Sequence, residues 1–185
     1  MEPKPADMDK SKDFDLADQL SKVGKRHAED DFAYYEVDDP EAFLEKVSLA
    51  GFLLHGTSRK LAQLTPQQAN DTEKESGRRT AIYMTDAPVV AMFSALRGGI
   101  PLGRSQHGVS RTTDGQAIEY QSLHFAAEHP EMLAEQGYVY IFNADQADER
   151  IEGEHLSYQP QTPLAVVEVK RADFHYPIET IETES

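Results

Sequence analysis

The run Tyr138-Val139-Tyr140-Ile141-Phe142 constrains this chain more than any other stretch. Five consecutive aromatic or β-branched residues are the strongest strand signal in the sequence, and Leu164-Ala-Val-Val-Glu-Val169 is the second. Pro160 and Pro163 punctuate the approach to the second strand. At 185 residues the chain is long enough for one domain with a core plus a tail, and too short for two ordinary domains.

Only 39% of the residues are hydrophobic and the mean hydropathy is -0.60, so part of the chain is expected to be solvated tail or loop. With 33 acidic against 18 basic residues the net charge is -15, a field that disfavours duplex nucleic acid and anionic membranes. No apolar stretch approaches 18 residues and the N-terminus lacks signal-peptide chemistry, so the expectation is a soluble, cytoplasmic protein, or one delivered as a toxin or effector. The absence of cysteine excludes disulfides, thiolate metal sites and a cysteine nucleophile.

Three segments are expected: an acidic, partly disordered or helical tail over 1–31, a domain over 32–178, and a short tail over 179–185. Within the domain, Phe32–Val37 has strand chemistry. Asp39-Pro40-Glu41 starts a helix that runs to about Ala50 and is ended by Gly51. Phe52–His55 is a short strand, 67–80 an exposed loop, and Ala81–Thr85 the next strand. Thr85 or Asp86 caps a helix with Pro88 in its first turn and Val89, Val90, Met92, Phe93 and Leu96 available for the core. The glycine-rich stretch 98–115 predicts a long loop, and 116–136 a helix interrupted near His129-Pro130.

The chemistry lies at the strand ends. His55-Gly56-Thr57 follows the apolar run Gly51–Leu54, and about thirty residues later comes Tyr83-Met84-Thr85-Asp86, followed by Ala91 and Phe93. Glycine lets a peptide approach a planar amide, an aromatic face can stack on a ring, and a neutral imidazole both donates to and accepts from a hydroxyl. Together with Gly137–Phe142, this ordered set resembles the ADP-ribosyltransferase superfamily, and within it the histidine-tyrosine-glutamate branch of diphtheria-type toxins and poly(ADP-ribose) polymerases.

The resemblance covers roughly residues 32–174. It implies an α+β fold of two small, mostly antiparallel sheets around an NAD cleft with flanking helices. It also implies NAD as substrate, with ADP-ribose passed to an acceptor that the sequence does not identify, or to water. By motif, His55 and Gly56 would bind the ribose and the nicotinamide carboxamide, Tyr83 would stack on the nicotinamide, and Thr57 and Ser58 would line the mouth. Arg59 is the preferred cation for the pyrophosphate, ahead of Lys60, Arg78 and Arg79. The third catalytic group would be Glu154, a carboxylate opposite a developing oxocarbenium ion. Glu152, two residues away, would share the same strand face, and register decides between them.

Two other functions fit the same residues. One is a non-catalytic module that binds NAD or ADP-ribose, which follows if neither glutamate reaches the ribose. The other is an RNA 2'-phosphotransferase, which the acidic charge disfavours. His107, His124, His129, His155 and His175 show no metal-ligand spacing, so no metal is expected. Arg97, Arg104 and Arg111 are read as loop cations able to contact an acceptor or a cofactor.

Overall fold

The computed structural model describes residues 14–68, 79–97 and 104–182. Its centre is a five-stranded sheet in the order β1-β2-β11-β8-β3, built from β1 (Gly24–Glu29), β2 (Phe32–Val37), β3 (Leu53–Thr57), β8 (Gln136–Phe142) and β11 (Ala165–Lys170). The β2–β11 pairing is parallel and the others are antiparallel. Strand β8 lies between two neighbours and is covered on both faces, which explains its uninterrupted apolar run. Val139 and Ile141 face one core cluster, while Tyr138, Tyr140 and Phe142 face the other.

Helices cover the first face. In α1 (Leu16–Val23), Asp15 caps the helix by accepting from the Asp18 N–H at 3.1 Å, and Leu16 and Leu20 are buried. In α2 (Pro40–Leu49), Asp39 accepts from the Ala42 N–H at 3.1 Å, Pro40 occupies the first turn, and Phe43, Leu44 and Val47 are buried. Thr85 Oγ1 accepts from the Ala87 N–H at 3.0 Å just before α3 (Pro88–Arg97), whose Val89, Ala91, Met92, Phe93, Ala95 and Leu96 are all buried.

A four-stranded sheet carries β4 (Gln67–Gln68), β5 (Thr80–Met84), β10 (Glu154–Ser157) and β9 (Glu149–Ile151) in that order. It contributes Ile82 and Met84 to the second core cluster. A third sheet, β12-β7-β6, consists of β6 (Ser105–Thr113), β7 (Ile118–Ala127) and β12 (Glu179–Thr180). The described architecture is therefore α+β with three small, mostly antiparallel sheets, where two were expected.

Other expectations are also revised. Residues 14–31, expected as a partly disordered or helical tail, form the helix α1, within that expectation, and the strand β1, which was not expected; Leu20 is only 2% exposed, and β1 pairs with β2 along its whole length. The stretch expected as loop and helix over 98–136 contains the β6–β7 hairpin. A bulge between Ser110 and Arg111 leaves Gln121 as the extra residue, so the inward positions run Ile118, Tyr120, Leu123 and Phe125. That one-residue slip hides the period of two and makes the spacing look helical. Glu179 and Thr180, expected as tail, pair with Ala126 and Ala127. Residues 1–13, Arg78, Gly98, Gly99 and Gly103 lie outside the described residues.

Candidate functional site

Strand β3 is an edge strand, and its two faces and its open edge divide the work. Leu54 exchanges two backbone hydrogen bonds of 2.8 Å with Thr85, the residue after β5. Its N–H and C=O therefore point away from β8, and in an antiparallel ladder the same holds two residues on, at Gly56. The Gly56 peptide groups thus face the gap between β3 and the β5 side, where a donor and an acceptor lie side by side.

Gly56 has a second constraint. A Cβ placed there would lie 1.9 Å from the Ala91 carbonyl oxygen and 2.5 Å from the Ala95 nitrogen. Helix α3 rests directly on this peptide, and Gly137 on β8 meets Ala95 in the same way. The absence of a side chain brings the helix backbone onto the sheet at the point where the edge is open.

His55 and Thr57 point to the opposite face from Gly56. The His55 Nδ1 is 2.6 Å from the Tyr83 carbonyl oxygen, so Nδ1–H donates to it and Nε2 is left as the acceptor. Burial of the ring lowers the pKa of His55 from its ordinary value of 6.5, with the Tyr83 carbonyl opposing that shift and the positive charge of Arg97 adding to it. The imidazole is neutral at pH 7. His55, Thr57, Arg59 and Tyr83 line a cleft of about 160 Å³ together with Leu61, Leu64 and other residues of the loop after β3 and of β5. Ser58 is half-buried and does not line it.

The loop that carries Arg59 is fixed from below. The hydroxyl of fully buried Tyr140 donates to the Arg59 carbonyl at 2.6 Å and accepts from the Leu61 N–H at 2.8 Å. Burial pushes that hydroxyl up to about 12, so it stays protonated. The Arg59 side chain remains exposed at the cleft. Arg79, by contrast, is bound to Glu149 and to the Tyr158 hydroxyl, each at 3.0 Å.

Register separates the two glutamates. Glu152 (φ 52°) and Gly153 (φ 85°) are the two central residues of the β9–β10 hairpin turn, and Glu154 pairs with Ile151 at its base. Glu152 is therefore at an exposed turn, and the expectation that it shares a strand face with Glu154 does not hold. Glu154 is half-buried at the start of β10. Leu156 sits opposite Tyr83, so Glu154, two residues earlier, shares a face of this sheet with Tyr83. Glu154 is not among the residues lining the cleft of His55 and Tyr83.

Arg97, read from the sequence with Arg104 and Arg111 as a loop cation able to contact an acceptor or a cofactor, belongs to this neighbourhood from the end of a helix. It is the last residue of α3, and its Cζ lies 5.8 Å from the centroid of Phe93, one turn earlier. Its charge acts on His55, and the charge of Glu154 acts on it. His155, on the other face from Glu154, has its Nε2 4.0 Å from Asp86, which Arg111 of β6 grips. The pairing ties the hairpin of the third sheet to the start of α3. Among the described residues no three histidine, aspartate or glutamate side chains come together as a metal site, and no helix is long and apolar enough to cross a membrane.

No family model matches this chain. No curated protein and no solved structure matches it either. The resemblance to ADP-ribosyltransferases accordingly rests on the motif residues of the sequence.

Proposed function

We propose that this protein is an NAD-dependent ADP-ribosyltransferase or NAD glycohydrolase that cleaves the nicotinamide–ribose bond. The observation that carries the reading is the His55–Tyr83 bond. It joins two motif residues 28 positions apart and leaves Nε2 of a neutral imidazole as the acceptor nitrogen. The open edge at Gly56 offers the N–H and C=O pair that a carboxamide needs, and Tyr83 supplies the aromatic face.

In this reading the C–N bond breaks with its electron pair leaving on nicotinamide. The carboxylate of Glu154 stabilises the cationic ribose, and the acceptor or water adds to the ribose carbon as its proton is lost. Fold likeness does not choose the acceptor.

One observation favours a second reading. Because Glu154 lies outside the lining of the His55–Tyr83 cleft, the site also suits a module that binds NAD or ADP-ribose without turnover. Nicotinamide release from NAD, measured with and without cell lysate, separates the two. The enzyme reading expects release that falls by about 100-fold or more in Glu154→Gln while NAD still binds. Binding without release would establish the module instead, and absence of binding would remove both.

A further inference from the structure

Four arginines in the described residues are half-buried: Arg79, Arg97, Arg111 and Arg171. Three have an acceptor supplied by the protein. Arg79 has Glu149 and the Tyr158 hydroxyl, Arg111 has Asp86, and Arg171 has the Pro130 carbonyl at 3.2 Å. Arg97 makes no hydrogen bond or ion pair among the described residues, and its Nε is fully buried with no partner. A helical side chain leans toward the helix N-terminus, and this one is held back along α3 over the Phe93 ring. The guanidinium thus lies over the Phe93 ring with no acceptor among the described residues.

A buried donor without an acceptor is costly, and a guanidinium more so than a neutral group. Glu154 is near enough for its charge to oppose the effect of burial on Arg97, yet it forms no bond with it. The planar fork of an arginine matches the oxygens of a phosphate, and in a chain of net charge -15 an anionic ligand needs such a local cation. We infer that Arg97 is an oxyanion ligand of the site, receiving a phosphate or pyrophosphate group of the substrate next to His55 and Glu154. The inference deepens the proposed function and rests on the same site. It moves the anion-binding role from exposed Arg59 to a residue whose Nε is already desolvated.

Calorimetric titration of the full chain with inorganic phosphate, inorganic pyrophosphate, ADP-ribose and nicotinamide tests it, in wild type, Arg97→Gln and Arg97→Lys. The expected result is at least a tenfold loss of affinity for the phosphate-bearing ligands in Arg97→Gln and a smaller loss in Arg97→Lys, which keeps the charge without the fork. Nicotinamide, which carries no anion, binds all three alike. Loss with ADP-ribose identifies the anion as the pyrophosphate of the dinucleotide. Loss with inorganic phosphate or pyrophosphate but not with ADP-ribose identifies it as a phosphate on the acceptor.

Unchanged affinity of both variants for every phosphate-bearing ligand would overturn the inference, as would wild type that binds none of them. Melting temperatures without ligand control for folding, and Arg97→Lys carries the test if Arg97→Gln unfolds. Arg97-dependent binding of phosphate or pyrophosphate in a protein that releases no nicotinamide would remove the NAD-cleaving reading and leave the oxyanion site standing.

Discussion

Replacing Gly56 by alanine tests the placement of α3 on the β3 edge. The added Cβ would sit 1.9 Å from the Ala91 carbonyl oxygen and 2.5 Å from the Ala95 nitrogen, both backbone atoms that cannot rotate away. To reach ordinary contact distance the helix must withdraw by roughly 1.5 Å. It is not free to do so, because the same helix is seated on Gly137 with an equally close approach. Overpacking a core costs about 1–3 kcal/mol, and a clash with two backbone atoms belongs at the upper end of that range. The reduced freedom of the unfolded chain returns roughly 0.5 kcal/mol. A net loss of about 2–3 kcal/mol lowers the melting temperature by roughly 5–10 °C in a domain of this size. Gly108→Ala is the control, since a Cβ there meets nothing within 4 Å; its melting temperature should stay within roughly 2 °C of wild type. Calorimetric melts of the three proteins make the comparison. A Gly56→Ala protein that melts with wild type would mean that α3 does not rest on this peptide, and the account of the open edge would fall with it.

Tyr140→Phe removes one hydroxyl that serves both the Arg59 carbonyl and the Leu61 N–H, so denaturant midpoints should report a loss of about 1–3 kcal/mol. An unchanged midpoint would show that the loop is held by other means. Burial lowers the pKa values of both His55 and His155 below their ordinary 6.5, so the unfolded chain binds more protons than the folded one as pH falls through that value. Stability is therefore full above pH 6.5 and declines below it until the folded values are passed; urea midpoints from about pH 7.5 to about pH 5 should show this slope, and His55→Asn should flatten it. A slope identical in the variant would remove His55 as a contributor. Deleting residues 1–23 strips Leu16 and Leu20 from the core and should cost about 3–5 kcal/mol, whereas a dispensable tail would leave the melting temperature untouched.

Much of the fold could be read directly from local patterns. The caps at Asp39 and Thr85, the prolines at positions 40 and 88, and the apolar runs over 138–142 and 164–169 all mark elements that the structure contains. These signals are local: a cap needs three residues, and a buried strand needs five. The β6–β7 hairpin hides its strand period because a bulge shifts it partway along; Leu16 and Leu20 mark a helical turn without showing that a core buries it, and the mostly exposed residues of β1 carry no strand signal apart from the partner β2. The number of sheets also depends on pairings between distant strands, which no local window contains.

By itself the sequence determined which residues carry the candidate chemistry, His55, Gly56, Tyr83 and Glu154, because residue type sets what a side chain can donate, accept or stack on. Tertiary structure alone decided how they stand to one another. It placed the His55 Nδ1 on the Tyr83 carbonyl, turned the Gly56 peptide to an open edge, sent Glu152 to a hairpin turn, and carried Arg97 into the neighbourhood of His55 and Glu154. Each of these depends on strand register and helix seating, which arise from contacts between segments far apart in the chain, and a one-residue change in register would reverse the face of every side chain on the strand concerned.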